Sequence, residues 1–202
     1  MRLRRCGPDA VLVELGSLTE VAAARAALAE VPGVVDLVPA ARTVLVSFAD
    51  GVPPSLEDVL RAADLSVAPS ASGETVVLPA VYDGPDLELV AETAGVPVEE
   101  VVALHSGAEY AVAFTGFAPG FGYLTGLPEP LRQARLDTPR TRVPAGAIGV
   151  AGEFTGVYPR PSPGGWRLLG RLADGAPPLF DPARDPAALL APGLRVRFEA
   201  VR

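Results

Sequence analysis

Hydrophobic and polar positions in the first 70 residues follow two different periods. Apolar runs rich in valine and leucine predict strands at 10–15, 34–38 and 43–48. Between and after them, apolar residues three and four positions apart predict helices over 19–30 and 56–63. With a further strand predicted over 65–68, the order is β-α-β-β-α-β, the split motif of ferredoxin-like domains. The pattern therefore predicts an α+β domain over residues 1–70.

The pattern changes after a small, polar, turn-prone stretch at Pro69–Gly73, which we interpret as a linker. A strand over 76–81 and helices over 85–95 and 98–104 come next. Beyond them, short apolar segments separated by Gly and Pro predict strands at 111–115, 148–151, 155–158, 166–171 and 194–201. This spacing is typical of a β-barrel or sandwich with few helices. We predict a second domain over residues 74–202.

Apolar residues make up 49% of the chain, and the mean hydropathy is +0.31. No segment approaches the ~20 uninterrupted apolar residues that a membrane span needs. The apolar surplus therefore indicates a buried interface with a partner protein, and a larger core is the alternative.

The charge and the basic residues exclude several functions. The net charge is −7, which argues against nucleic-acid binding. All 17 basic residues are arginine, so the chain has no lysine for a P-loop or a Schiff base.

Cysteine usage and the first residues predict a cytoplasmic protein. Cys6 is the single cysteine, which excludes an intrachain disulfide and a cysteine zinc cluster. Gly7-Pro8-Asp9 interrupts any apolar stretch of a signal peptide.

Candidate chemistry concentrates between Gly116 and Arg171, where Gly and Pro are too frequent for regular elements. Stiff loops that approach a ligand closely would build a polar pocket, and tight turns of a small barrel are the alternative. Arg140 and Arg142 stand two residues apart, so on an extended strand their guanidiniums would form a fork for a carboxylate or phosphate. Solvated surface charge is the simpler explanation of the same pair, because arginine is the only basic residue type in the chain.

Two residues are candidates for proton transfer. Glu153 follows Ala151-Gly152 at a strand end, where it could serve as a general base or be a solvated carboxylate. His105, the only histidine, follows an apolar helix whose dipole would favour the charged imidazole, and a structural role is the alternative. A lone histidine does not make a metal site. Tyr123 and Tyr158 could donate hydrogen bonds.

Three motifs point to a family: Gly116-Phe-Ala-Pro-Gly-Phe-Gly-Tyr123, Thr138-Pro-Arg-Thr-Arg-Val-Pro-Ala-Gly146 and Ser162-Pro-Gly-Gly-Trp166. In this order they resemble the family of KipI and the B-type subunits of 5-oxoprolinase, also labelled allophanate hydrolase subunit 1. That family is related to the carboxyltransferase domain of urea carboxylases. The resemblance implies a ferredoxin-like N-terminal domain followed by a cyclophilin-like β-barrel domain.

The resemblance also implies an activity and partners. The chain would be one component of an ATP-dependent 5-oxoprolinase, inactive alone, that opens 5-oxo-L-proline to L-glutamate. Its partners would be a KipA-like C-type subunit plus a TIM-barrel-like A-type subunit. ATP with magnesium would be the co-substrate of the complex, and no motif of this chain binds a metal or an organic cofactor.

The resemblance assigns site residues to the three motifs. Arg140, with Arg142 as a second cation at a more variable position, would bind substrate carboxylate or phosphate, and Glu153 or His105 would act as acid or base. Gly164 and Gly165 could form an anion-binding nest of backbone N–H groups. The remaining substrate- or anion-binding candidates are Phe117, Pro119, Gly120, Tyr123, Pro144, Gly146, Tyr158, Ser162 and Trp166.

Two other functions fit the same family. One is a regulatory module that inhibits a sensor histidine kinase, which would need an exposed docking face. The other is a carboxyltransferase-like component of a urea or allophanate pathway. Because the chain has no lysine, biotin would have to arrive on a partner.

Overall fold

The computed structural model describes residues 1–69 and 75–201. All but the first residue of the linker predicted at Pro69–Gly73 lies outside these ranges. The chain divides into two compact units, Met1–Ser70 and Ala71–Arg202. Within the described residues, no helix combines the length and the apolar character that a bilayer crossing requires.

The first unit is a four-stranded antiparallel sheet with two helices. Its strands have the spatial order β1-β2-β4-β3 and the bounds β1 Arg2–Arg5, β2 Ala10–Glu14, β3 Val34–Pro39 and β4 Thr43–Phe48. Its helices are α1, Leu18–Ala29, and α2, Leu56–Ala62. Alternate residues of β2 and β4 are buried in one core with Val21, Leu28 and Leu60 of the helices. The side chains on one face of the sheet, which are every second residue of a strand, therefore pack against the apolar face of each helix.

The strand predicted over 65–68 is wrong, and an edge strand at the start of the chain was not predicted. Asp64 accepts hydrogen bonds from the backbone N–H and the hydroxyl of Ser66, which bend the chain just after α2. The place beside β2 is taken by β1 instead. Its mainly exposed Arg-Leu-Arg-Arg sequence is typical of a protected sheet edge. The element order is consequently ββαββα, and the ferredoxin-like order is not reproduced.

The second unit contains a closed seven-stranded barrel with the order β10-β7-β6-β13-β5-β12-β9. Its strands are β5 Thr75–Val81, β6 Tyr110–Thr115, β7 Gly122–Thr125, β9 Ala147–Ala151, β10 Phe154–Val157, β12 Arg167–Leu172 and β13 Arg195–Ala200. A two-stranded ribbon pairs β8, Arg140–Val143, with β11, Ser162–Gly164. The prediction of a mixed α+β protein with a barrel is confirmed, and the barrel is consistent with the cyclophilin-like type.

Two helices accompany the barrel strands, α3 Leu87–Ala94 and α4 Val98–Gly107, with a short 3-10 helix at Glu129–Leu131. The barrel core contains fully buried Leu78, Leu124, Ile148 and Leu169. At Gly170 a Cβ would overlap the carbonyl of Val81, so this strand crossing requires glycine.

Candidate functional site

The structure brings the three Gly/Pro-rich motifs together on the barrel unit. The loop after β6 places the Phe117 ring edge-on against Tyr158, with 6.0 Å between ring centroids. Leu136, which precedes the second motif, donates its backbone N–H to the carbonyl of Gly165 at 2.8 Å. β8 pairs with β11, so Arg140 lies opposite Gly164. Residues distant in sequence therefore form one continuous surface region.

An aromatic cluster fills the space beneath these loops. Tyr123 stacks on Phe114 at 4.4 Å between centroids, and Trp166 meets Phe121 edge-on at 5.4 Å. Trp166 and Tyr158 are buried, whereas Tyr123 is partly exposed. Such edge-to-face contacts fix ring orientation. The cluster consequently holds the first and third motifs in one defined arrangement.

The hydroxyl of Tyr158, a member of the aromatic cluster, is affected by the charges of two arginines. Burial raises the pKa of its hydroxyl. A hydrogen bond with the backbone of Trp166 and the positive charges of Arg135 and Arg140 oppose that rise in pKa. The positive charges of Arg135 and Arg140 therefore both favour a lower pKa of this hydroxyl.

Gly164 has room for no larger residue, because a Cβ there would overlap the Tyr158 hydroxyl. We expect Gly164→Ala to displace the buried tyrosine and lower the free energy of unfolding by roughly 1–3 kcal/mol. The fluorescence of Trp166, the only tryptophan, should shift with it. Gly107→Ala is the control, since a Cβ on this exposed helical glycine meets no atom within 4 Å. Equal stability of the two variants would contradict the prediction.

Phe117 has an uncommon backbone conformation, with φ of 66°, and the residue is 57% exposed. A non-glycine residue in the left-handed region costs free energy and is often found at functional sites. Phe117, Pro119 and Gly120 line an open groove of about 540 Å³ whose other wall includes Phe180. Gly120 itself needs a positive φ and packs closely on Leu179 and Phe180. The motif predicts the loop, whereas the groove beside it has no signal in the local sequence.

Arg140 is held by a carboxylate that no sequence motif indicates. Its Nη2 donates to Oδ1 of Asp86 at 2.6 Å, and Oδ2 of Asp86 accepts the backbone N–H of Leu168 at 2.7 Å. Nη1 reaches the carbonyl of Trp166 at 3.5 Å. Asp86 is buried, while the Arg140 side chain is 28% exposed. Part of the guanidinium therefore remains accessible, and Asp86 already balances its charge.

Arg142, the other member of the predicted fork, is exposed on the same strand, β8. Arg140 contacts Asp86, and the fork of Arg140 with Arg142 stays a prediction.

The remaining motif residues have mainly structural contacts. Gly146, with φ of 79°, donates its N–H to the carbonyl of Tyr158 at 2.7 Å. The Pro144 carbonyl accepts the N–H of Ala147 at 3.4 Å, closing the turn before β9. The Ser162 hydroxyl donates to the carbonyl of Arg160 at 3.0 Å. The nest at Gly164 and Gly165 stays a prediction.

Glu153 is exposed in the tight turn between β9 and β10. The preceding Gly152 has φ of 56° and donates its N–H to the carbonyl of Gln133. The described contacts do not join Glu153 to the three motifs.

His105 lies inside α4 and is fully buried. Tyr82 Oη lies 2.8 Å from Nδ1, and Thr155 Oγ1 lies 2.9 Å from Nε2. Because the Thr155 hydroxyl donates to the carbonyl of Gly149, it accepts from an Nε2–H. In the neutral imidazole, which burial favours, Nδ1 then accepts from the Tyr82 hydroxyl. The imidazole is neutral because burial disfavours its charged form, and both ring nitrogens have a hydrogen-bond partner.

The expectation that a helix dipole favours charged His105 is wrong, because burial dominates and lowers the pKa of the imidazole to about 3. Because His105 is fully buried and both of its ring nitrogens have a hydrogen-bond partner, these contacts support a structural role.

Comparisons with known proteins agree with the motifs. The family described as "Carboxyltransferase domain, subdomain C and D" matches residues 1–190. A curated relative, the B-type subunit of 5-oxoprolinase from Escherichia coli O157:H7, is 39% identical over 98% of this chain and 96% of its own length. The corresponding 5-oxoprolinase component of Bacillus subtilis is 32% identical over 98% of this chain and 91% of its own.

Two solved structures share the fold. The structure of TTHA0988 is 36% identical, with a TM-score of 0.77 over 100% of this chain. This chain spans only 41% of that longer protein. The urea carboxylase of Kluyveromyces lactis is 19% identical, with a TM-score of 0.70 over 99% of this chain and 22% of its own. The last likeness concerns the fold alone.

Proposed function

We propose, since this chain belongs to the family of the B-type 5-oxoprolinase subunits, that it is one component of an enzyme opening 5-oxo-L-proline to L-glutamate. The observation that carries this proposal is the 39% identity over nearly the whole length of both proteins. The convergence of the three motifs on one surface region supports it.

In this proposal the three motifs bind the substrate. The accessible part of Arg140 donates hydrogen bonds to the 5-oxoproline carboxylate, and the aromatic loops contact its flat lactam ring. Asp86, the carboxylate that contacts these loops, has both oxygens hydrogen-bonded and serves to hold Arg140. Since His105 is buried and Glu153 lies in a separate turn, we propose that a partner protein supplies the acid–base group.

The proposed complex contains a KipA-like C-type subunit plus a TIM-barrel-like A-type subunit, uses ATP with magnesium as co-substrate, and is inactive without all its components. We propose a cytoplasmic location for it. The high apolar content supports an interface with these partners, and so does the fact that a relative such as TTHA0988 carries this region within a chain more than twice as long.

The test is reconstitution from purified components. This chain is mixed with its KipA-like and TIM-barrel-like partners, and ADP and glutamate formation are measured with 5-oxoproline present or absent. We expect turnover that disappears when this chain is omitted. Undiminished turnover without it, or none from an assembled complex, would contradict the proposal.

A carboxyltransferase-like role is the second candidate, and the family description and the shared fold favour it. It predicts binding of a biotinylated carrier protein, which a pull-down with the same purified chain detects. Inhibition of a sensor kinase stays a prediction without a supporting contact.

A further inference from the structure

The charge balance around Arg140 indicates that this residue does not bind an anion alone. Asp86 lies 2.6 Å from Arg140 and carries the opposite charge in a buried position. An anion approaching the accessible part of Arg140 therefore meets a pair of nearly zero net charge, whose attraction is weak. A carboxylate site here needs a second, unbalanced cation.

Arg135 has the position and the charge that this site requires. It is exposed, and no carboxylate within residues 1–69 or 75–201 lies at ion-pair distance from it. Its neighbour Leu136 is anchored to Gly165, and the glycine before Gly165 packs against the Tyr158 hydroxyl. The positive charges of Arg135 and Arg140 act on that same hydroxyl. Arg135, Arg140 and Asp86 together carry one net positive charge.

We propose that Arg135 and Arg140 together bind the carboxylate of a small monoanionic substrate, with Arg135 supplying the uncompensated charge and Asp86 positioning Arg140. This inference rests on the proposed function for the identity of the substrate, 5-oxoproline. The site itself rests on the backbone contacts that bring the two arginines to one place: Leu136 is anchored to Gly165, and Arg140 pairs with Gly164. Arg135 was absent from the sequence-based candidates, because its Gln-Ala-Arg-Leu context lies before the second motif.

Trp166 offers a direct measurement of binding on the 202-residue chain. It is the only tryptophan, and its carbonyl contacts Arg140. Its fluorescence would be titrated with 5-oxoproline and with 2-pyrrolidone, the same lactam without a carboxylate, at constant ionic strength. Acetate and inorganic phosphate are the further probes.

We expect saturable binding of 5-oxoproline and much weaker binding of 2-pyrrolidone. Arg135→Gln should weaken 5-oxoproline binding by about tenfold, the value of one charge-assisted hydrogen bond. Arg135→Lys should restore part of it. Arg160→Gln is the matched control, because Arg160 is an exposed arginine on the neighbouring loop and its loss changes the net charge equally. In the reconstituted enzyme, Arg135→Gln should raise KM and leave kcat nearly unchanged.

The proposal is overturned if Arg135→Gln binds as the wild type does, if Arg160→Gln is weakened as much, or if no carboxylate binds. Acetate or another carboxylate that binds as well as 5-oxoproline, in an Arg135-dependent way, would support the anion site while contradicting 5-oxoproline as the substrate. The failure of the site and the failure of the proposed function are thereby distinguished.

Discussion

Asp86→Ala is expected to lower the free energy of unfolding by about 3 kcal/mol, because breaking a buried ion pair from one side costs roughly 3–5 kcal/mol. The substitution leaves the backbone N–H of Leu168 without its acceptor and the Arg140 guanidinium without its counter-charge. We expect the lower end of this energy range because the Arg140 side chain is 28% exposed, so water can hydrate its charge once Asp86 is removed. Urea denaturation followed by Trp166 fluorescence measures the loss.

The exposed pair of Arg171 and Asp83 provides the control. Asp83 lies three residues before Asp86, and its carboxylate is 3.0 Å from Nε of Arg171 with both side chains 48% exposed. Surface pairs of this kind contribute about 0–1 kcal/mol, so Asp83→Ala should change stability little. A loss for Asp86→Ala no larger than for Asp83→Ala would show that Asp86 is well hydrated and does not position Arg140.

Acidification is expected to destabilise the protein through His105 by roughly 4–5 kcal/mol between pH 6.5 and about 3. Burial lowers the pKa of the folded imidazole from its ordinary value of 6.5 to about 3. As the pH falls through this window, the unfolded chain takes up the proton and the folded chain does not. The contribution is therefore fully present above pH 6.5 and is lost progressively down to about pH 3. Denaturation curves across this window measure it.

The single histidine makes this prediction separable from the titration of carboxylates. In His105→Gln the slope of stability against pH between about 6.5 and 5 should nearly vanish. Nuclear magnetic resonance of the wild-type imidazole is an independent readout, and its signals should not titrate above about pH 4.5. A midpoint near 6.5 in the folded protein would contradict both the buried neutral imidazole and the hydrogen bonds with Tyr82 and Thr155.

The elements that could be predicted from the sequence are those whose burial follows a simple period. β4 has alternating buried residues over Thr43–Phe48, and the alternation predicts its place in a core. β1 could not be found in this way, because it is an edge strand with mainly exposed residues. β8 and β11 were not predicted for a related reason. They pair with each other and carry few apolar side chains.

The sequence predicted which loops form the site and did not predict which side chains meet there. Gly and Pro located the three motif loops, but they carried no information on which charges meet across the fold. Asp86 and Arg140 are far apart in sequence, and their contact follows from the pairing of strands that no local pattern specifies. His105 could be charged or neutral by sequence alone, and the answer depends on burial by α4 and the barrel core. Long-range packing therefore decided the chemistry of each candidate.

The parallel pairing of β5 with β13 governs the order in which the barrel can form. β13 lies between β5 and β6, and the register sets Thr75 beside Arg195. During synthesis β5 leaves the ribosome long before its neighbour exists, so its valine- and leucine-rich edge stays unpaired. Closure of such a long loop is entropically costly and slow. The barrel is therefore completed only after β13 has been made, and until then the unpaired edge of β5 is exposed to aggregation.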